Sequence, residues 1–383
     1  MTATRVCRVC GGTEKPISGI LGVCLDCIRD RWDEAAPHAE AAHREARDPH
    51  RLPALPPRAE GGIPCGLCSN GCTMGEGETG FCGLRWNEGG LQSLTGPEAG
   101  LAYTYLDPHT TNCCAAWFCP GGTGAGYPEY AWRDGPERGY VNLSVFHYGC
   151  NFDCLFCQNH SHKEFQGITP QNAGFLARRV KANPRISCIC HFGGSPEPQL
   201  PFIVEASERA LEVNREGPLR ICFEWNGCGD PSLVRQAAGL ALRTGGNIKF
   251  DLKARSPELS LALSGVSNER AYRNFEAIAE EFIPERRDLP VLTATTLLVP
   301  GYIDAEEVEG IARFIADVDP SIPYSLLCFH PDHRMRDLPY TSLEQAVDCW
   351  RAARMHLDRV NVGNLHILGV RDMEEFAAMT EGR

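Results

Sequence analysis

Three thiols, Cys150, Cys154 and Cys157, sit in the run GCNFDCLFCQN at a spacing of C-x3-C-x2-C. Thiolates this close on one loop can hold three irons of a 4Fe–4S cube, whereas most such clusters take four cysteines. A missing fourth protein ligand leaves one iron open to a small molecule. A second set, Cys7, Cys10, Cys24 and Cys27, has the spacing C-x2-C-x13-C-x2-C. Two knuckles of that kind place four thiolates around one tetrahedral ion, and zinc is favoured over iron. The segment is too short for an ordinary core, so the metal would supply its folding energy. A third set, Cys65, Cys68, Cys72 and Cys82, is interleaved with glycines that allow tight turns around a metal centre. Thiolate suits zinc and iron–sulfur alike, so this spacing leaves both open. For Cys113, Cys114 and Cys119, ligation, packing and a substrate-pocket role all stay open.

Cysteine is the compositional outlier, with 20 in 383 residues. Fourteen fall at or before Cys157, and this clustering argues for ligation over scattered core packing. The N-terminus, MTATRVCRVCGG, has no apolar stretch that could act as a secretory signal, so a cytoplasmic protein with reduced thiols is expected. No apolar run approaches a membrane span. A net charge of −12 argues against wholesale binding to nucleic acid. At about 150 residues per domain, the length suggests two to three domains.

The elements that must position these thiols follow from periodicity. Strands are predicted at Val141–His147, Ile186–Phe192, Leu219–Trp225, Asn247–Leu252, Pro290–Leu297 and Ile322–Cys328. Helices are predicted between them, at 171–183, 200–214, 231–243, 269–281, 305–316 and 343–357. Six βα units imply a parallel sheet with right-handed crossovers. They are too few for a closed eight-stranded barrel, so an open, partial (βα)6 TIM-like barrel is expected. The expected division is a zinc-ribbon-like module at 1–32 and a helix and linker at 33–61. A cysteine-rich region at 62–140 would pack on the barrel, and the barrel with a C-terminal extension would occupy 141–383. The Ala-, Glu- and Arg-rich stretch of the linker suggests a solvated helix, and HRLPALPPRAEGG an extended strap.

Alternation also predicts a cavity. Cys222, Glu224 and Asn226 share one face of their strand, and Lys249, Asp251 and Lys253 share one face of the next. The apolar faces should meet the outer helices, which turns these polar groups into the barrel. Buried charges need partners, so a polar cavity or a self-contained Lys–Asp network is expected there. Cys188 and Cys190 share a face with a packing role, beside His191. Thr293 and Thr295 are further candidates for the cavity wall. Cys328, His330 and His333 are placed at a substrate mouth, and His160 and His162 beside the cluster loop.

The chain resembles the radical S-adenosylmethionine (SAM) superfamily, and within it the branch related to pyruvate formate-lyase activating enzyme. It is similar to the group called AmmeMemoRadiSam radical SAM proteins. The resemblance covers about residues 62–368 and rests on the Cys65–Cys82 block, GCNFDCLFCQN, FGGSP, IKFDLK and LSGVS. It implies that Cys150, Cys154 and Cys157 ligate the catalytic 4Fe–4S cluster and that Phe156 packs on adenine. Gly193 and Gly194 resemble the start of a GGEP motif that binds the amino group of SAM. Ser195 stands where that motif has Glu, and Glu197 comes two residues later. Glu224, Asn226, Asp251 and Lys253 are the further candidates for SAM binding.

The implied activity is that of an activating-enzyme-like oxidoreductase. An electron donor such as flavodoxin or ferredoxin would reduce the cluster. SAM would be cleaved to methionine and a 5′-deoxyadenosyl radical, which takes hydrogen from a protein or small-molecule substrate. Activation of a glycyl-radical enzyme is one version. The alternative is a metal-binding regulator whose N-terminal ribbon binds nucleic acid or protein without radical catalysis. The net charge and the complete cluster motif count against it.

Overall fold

Alternating side chains build the sheet that organises this chain. A computed structural model describes residues 5–214 and 216–381. The first four residues of the expected 1–32 module and the last two of the expected 141–383 unit lie outside the described residues. The sheet strands are β1 (Ala102–Pro108), β2 (Val141–His147), β3 (Ile186–Gly193), β4 (Arg220–Trp225), β5 (Ile248–Asp251), β6 (Leu292–Leu298), β7 (Tyr324–Cys328) and β8 (Val360–Gly363). Their spatial order is their chain order, and β2 to β8 pair in parallel. β1 pairs antiparallel with β2 at one edge, and β1 and β8 are not paired with each other, so the barrel is open.

The helices are α1 (Leu25–Asp30), α2 (Trp32–Arg47), α3 (Phe175–Ala182), α4 (Leu200–Leu211), α5 (Pro231–Thr244), α6 (Pro257–Ser264), α7 (Glu269–Phe282), α8 (Ala305–Val318), α9 (Leu343–Arg354) and α10 (Met373–Glu381). Their boundaries have local causes. Asp230 caps α5 by accepting from the Ser232 and Leu233 amides, Pro231 occupies the first turn, and Gly245 ends it at φ +75°. Asp304 and Ser342 cap α8 and α9 in the same way. The outward faces of the strands, including Ile189, Ile221, Phe223 and Phe250, join the helices in one core. None of these helices is long and apolar enough to cross a membrane.

Three details depart from expectation. Seven parallel strands replace six, because β8 was too short and too little buried to stand out. β1 is an additional edge strand, with Tyr103, Tyr105 and Leu106 exposed on its length, so no buried apolar face marks it in the sequence. The linker helix α2 is not solvated all round. Ala35, Ala39, Ala42, His43 and Ala46 line one buried stripe, and α2 packs there against α1 and α6. Small alanines permit that close approach, which overall polarity obscured.

The N-terminal segment docks near the C-terminal end of β6. The Tyr302 hydroxyl accepts from the Ser18 amide at 2.9 Å and donates to the Val23 carbonyl at 3.1 Å. Arg29 pairs with Asp304 at 2.8 Å and Glu307 at 3.0 Å. The Cys65–Cys82 region is tied to the loop after β4, where the Ser69 amide donates to Cys228 O and Asp230 N–H to Leu67 O, each at 2.9 Å.

Candidate active site

The register of the sheet stacks the interior in polar layers. Asn142, Cys188 and Arg220 lie side by side on β2, β3 and β4, and Ser144, Cys190 and Cys222 form the next layer. Above them come Glu224, Lys249 and Thr293, then Asp251, Thr295 and Ser325. Layers of branched aliphatic residues usually fill such an interior. Here two adjoining cavities open within it.

The first, of about 200 Å³, lies at the C-terminal ends of the strands. Cys150, Cys154 and Cys157 line it from the loop after β2, and Gly193, Gly194 and Ser195 from the loop after β3. Phe156, Glu224, Asn226, Asp251 and Lys253 complete the set named from sequence, and Lys249, Thr295 and His162 join them. The two glycines are required by close approach. Gly193 sits at φ +123°, and a Cβ on Gly194 would stand 2.1 Å from the Gly149 carbonyl oxygen. The cluster loop and the glycine loop therefore touch backbone to backbone.

The charged groups of this cavity pair with one another and still face it. Lys253 donates to Asp251, and its Nζ lies 5.6 Å from the centre of the Phe156 ring. Despite burial, Asp251 and the Cys154 sulfur hold Lys253 above the ordinary ammonium range. Ser195 does not replace the missing motif carboxylate. Its Oγ accepts from Asn226 Nδ2 at 2.9 Å, and Asn226 also donates to Asn151 at 2.7 Å. Glu197 is fully buried, with Oε1 accepting from the Gly227 amide at 2.6 Å and Oε2 unpartnered. Burial pushes its carboxyl up to about 7.

These residues fit a thiolate-held cluster with a small ligand. The three sulfurs converge on one concave site but do not all lie within 4.8 Å of one another, unlike donors that close on a single ion. Irons held one per thiol need that wider spacing. Burial raises all three thiols, Cys157 to about 12, so metal would have to displace their protons. His162, whose Nδ1 is buried and unpartnered, faces the same cavity.

The ribbon cysteines satisfy the single-ion geometry. All four sulfurs of Cys7, Cys10, Cys24 and Cys27 lie within 4.8 Å of one another. The Cys7–Cys27 and Cys10–Cys24 separations are both 3.8 Å, the edge of a tetrahedron with bonds of about 2.3 Å. Burial pushes Cys7 up, but backbone amides near Cys10, Cys24 and Val9 outweigh it and bring its thiol down to about 6. Cys65, Cys68, Cys72 and Cys82 behave differently. No three of their sulfurs lie within 4.8 Å of one another, yet after burial it is their mutual charge that raises Cys68 and Cys72.

Sequence reasoning passed over the support of the cluster loop. Asp153, between two cluster cysteines, is fully buried. It accepts from Lys163 Nζ at 2.5 Å and contacts His43 Nδ1 at 2.9 Å, with Arg47 at 3.5 Å. A carboxylate inside a buried cysteine loop was itself the signal, because it requires cations from elsewhere. Asn151, next in sequence to Cys150, accepts at its carbonyl from Asn70 of the Cys65–Cys82 region at 2.7 Å.

Other candidates lie elsewhere. Cys328 is in the core, and His330 and His333 line neither cavity. His333 stacks on His160 with ring centres 4.8 Å apart. Thr293 is spent on the Pro323 carbonyl at 2.6 Å. Cys188 and Cys190 are not simply packed, since both line the second cavity.

Residues 144–315 match the model of the radical SAM superfamily. The chain carries a radical SAM domain. Over 139 residues it is 34% identical to the isethionate sulfite-lyase activating enzyme of Desulfovibrio desulfuricans, covering 36% of this chain and 40% of that protein. It thus spans less than half the length of that relative. An uncharacterized protein of Methanocaldococcus jannaschii is 24% identical over 294 residues, 74% of this chain and 75% of that one. A radical SAM methyltransferase from Sphaerobacter thermophilus superposes with a TM-score of 0.44 at 19% identity, covering 58% of this chain and 66% of its own.

Proposed function

We propose that this chain is a radical SAM enzyme of the activating-enzyme type. The observation that carries the reading is the meeting of Cys150, Cys154 and Cys157 with Gly193, Gly194 and a ring of buried and half-buried polar groups on one cavity of the radical SAM domain. When bound there, a 4Fe–4S cluster and SAM supply one-electron cleavage of the sulfonium and hydrogen abstraction from substrate.

The protein's share is placement. Gly193 and Gly194 expose backbone for the amino group of SAM, where any side chain would collide. Phe156 offers a ring face to adenine, with Lys253 behind it. Asp251 and Lys253 offer hydrogen bonds to ribose and carboxylate, and Glu224 stands at the inner wall. Asn226 and Ser195, locked to each other and to Asn151, keep the glycine loop in register with the cluster loop. The ribbon cysteines would hold zinc. The Cys65–Cys82 region would hold an auxiliary centre, and the spacing of its sulfurs favours iron–sulfur. The relative's name, an activating enzyme of a lyase, supports a protein substrate; glycyl-radical activation would be one form of this reading, with a flavodoxin or ferredoxin as the electron donor.

Anaerobic reconstitution with dithionite and SAM tests this. Formation of 5′-deoxyadenosine is expected, and Cys154→Ala should abolish it while the barrel stays folded on its large core. A reduced, intact cluster that leaves SAM uncleaved would overturn the reading in favour of a metal-binding regulator. Wild-type cleavage by the Cys154→Ala protein would remove the cluster assignment.

A further inference from the structure

The second cavity, of about 360 Å³, lies beneath the first and shares Asn159, Phe192, Glu224 and Lys249 with it. Its walls carry Cys188 and Cys190 from β3, Cys222 from β4, and Cys113 and Cys119 from the segment between β1 and β2. Cleavage of SAM makes no use of these thiols. Nor do they fill the barrel as packing, since they border open space.

We propose that Cys113, Cys114 and Glu224 form a site for a single thiophilic divalent cation of the zinc class, at the boundary between the two cavities. The sulfur of each cysteine and a carboxylate oxygen lie within 4.8 Å of one another. Among the described residues, only the four ribbon cysteines make another such group. Cys114 lines the upper cavity, Cys113 the lower one, and Glu224 both. Two thiolates and one carboxylate leave a fourth tetrahedral position free on the cavity side. That is the arrangement of a reactive zinc site, which keeps one position for water or a substrate donor, rather than of a closed structural site.

The surroundings support a cation at this point. Lys249 already places its ammonium there, donating to Cys113 Sγ at 2.9 Å and to Glu224. In the same position it also reaches Cys190 Sγ at 3.6 Å. The Ala115 amide donates to Cys113 Sγ at 3.4 Å, matching the Gly12 amide on ribbon Cys10 at 3.4 Å. Ser325 on β7 holds the loop by donating to the Cys114 carbonyl at 2.9 Å, and Trp117 Nε1 donates to Ser325 Oγ at 3.1 Å. The backbone that carries the two thiols is thereby fixed to β7, while Glu224 comes from β4. Outer contacts of this kind typically change metal affinity by about 10- to 100-fold.

The test uses the full chain without SAM or reductant, so it is independent of the radical reading. Wild type and the Cys113→Ser/Cys114→Ser variant are saturated with Zn2+, desalted and analysed for zinc. The wild type is expected to retain one equivalent more. Titration with Co2+ should show one thiolate-to-metal charge-transfer site missing from the variant. Glu224→Gln should weaken that Co2+ site by about tenfold or more, and Lys249→Met should tighten it by relieving competition. Equal zinc and equal Co2+ uptake in wild type and double variant would overturn the proposal, leaving a network neutralised by Lys249. If the double variant fails to fold, Glu224→Gln decides. An unchanged Co2+ affinity there refutes the site.

Discussion

Replacing Asp153 with Asn asks whether the cluster loop is held from outside the barrel. The carboxylate has no exposed surface and lies 2.5 Å from Lys163, 2.9 Å from His43 and 3.5 Å from Arg47. The side chains of Lys163 and Arg47 are themselves only 1% exposed. Asparagine keeps the shape but removes the negative charge, so two buried cations face a neutral amide. Removing one partner of a buried ion pair costs about 3–5 kcal/mol. That is a large part of a domain stability of about 5–15 kcal/mol. Burial pushes the Asp153 carboxyl up, but His43, Arg47 and Lys163 outweigh burial and hold it well below the usual range. A depressed carboxylate stabilises fully above its unfolded pKa of about 3.9 and loses that contribution as pH falls through the folded value. The penalty of Asp153→Asn should therefore be constant from about pH 5 to 8 and shrink below about pH 4. Urea denaturation followed by far-UV circular dichroism, on reduced protein at several pH values, gives both numbers. Adding Lys163→Met should recover part of the loss, with a coupling of about 1–3 kcal/mol. An Asp153→Asn protein within about 1 kcal/mol of wild type at pH 7 would refute the reasoning.

Glu197→Gln should show the opposite pH trend. Its carboxyl rises from an ordinary 4.5 to about 7, so wild type loses stability as pH climbs through that interval, by up to about 3 kcal/mol at about 1.36 kcal/mol per pH unit. The variant should match wild type near pH 5 and exceed it near pH 8, and parallel urea midpoints at both would sink the idea. For the ribbon, Cys7→Ala with Cys27→Ala in the full chain should cost one zinc equivalent and lower thermal stability. Unchanged zinc content would disprove that site. Cys68→Ala with Cys72→Ala should remove about four irons per chain while leaving the Cys150–Cys157 cluster; a loss of zinc instead would make the centre structural, and no loss of metal would refute it.

Local spacing made much of this protein legible in its sequence. A C-x3-C-x2-C loop after a strand, a pair of C-x2-C knuckles and a glycine pair after the next strand need only neighbouring residues to state their chemistry. Two-residue alternation likewise turned Glu224, Lys249 and Asp251 inward, because strand geometry leaves a side chain only two faces, and Asn226 and Lys253, just past the strand ends, line the same cavity. Contacts between distant segments were beyond such reasoning. Asp153 meets His43 across 110 positions, and Cys113 meets Glu224 across 111. Neither pairing has a local period, since each depends on where a helix or loop docks after the sheet has formed. The register of β3, β4 and β5 decided that Cys190 faces Cys222 and Glu224 faces Lys249. A shift of one residue would have sent those side chains to the opposite face. Sequence named the donors, and tertiary packing chose which of them share a cavity.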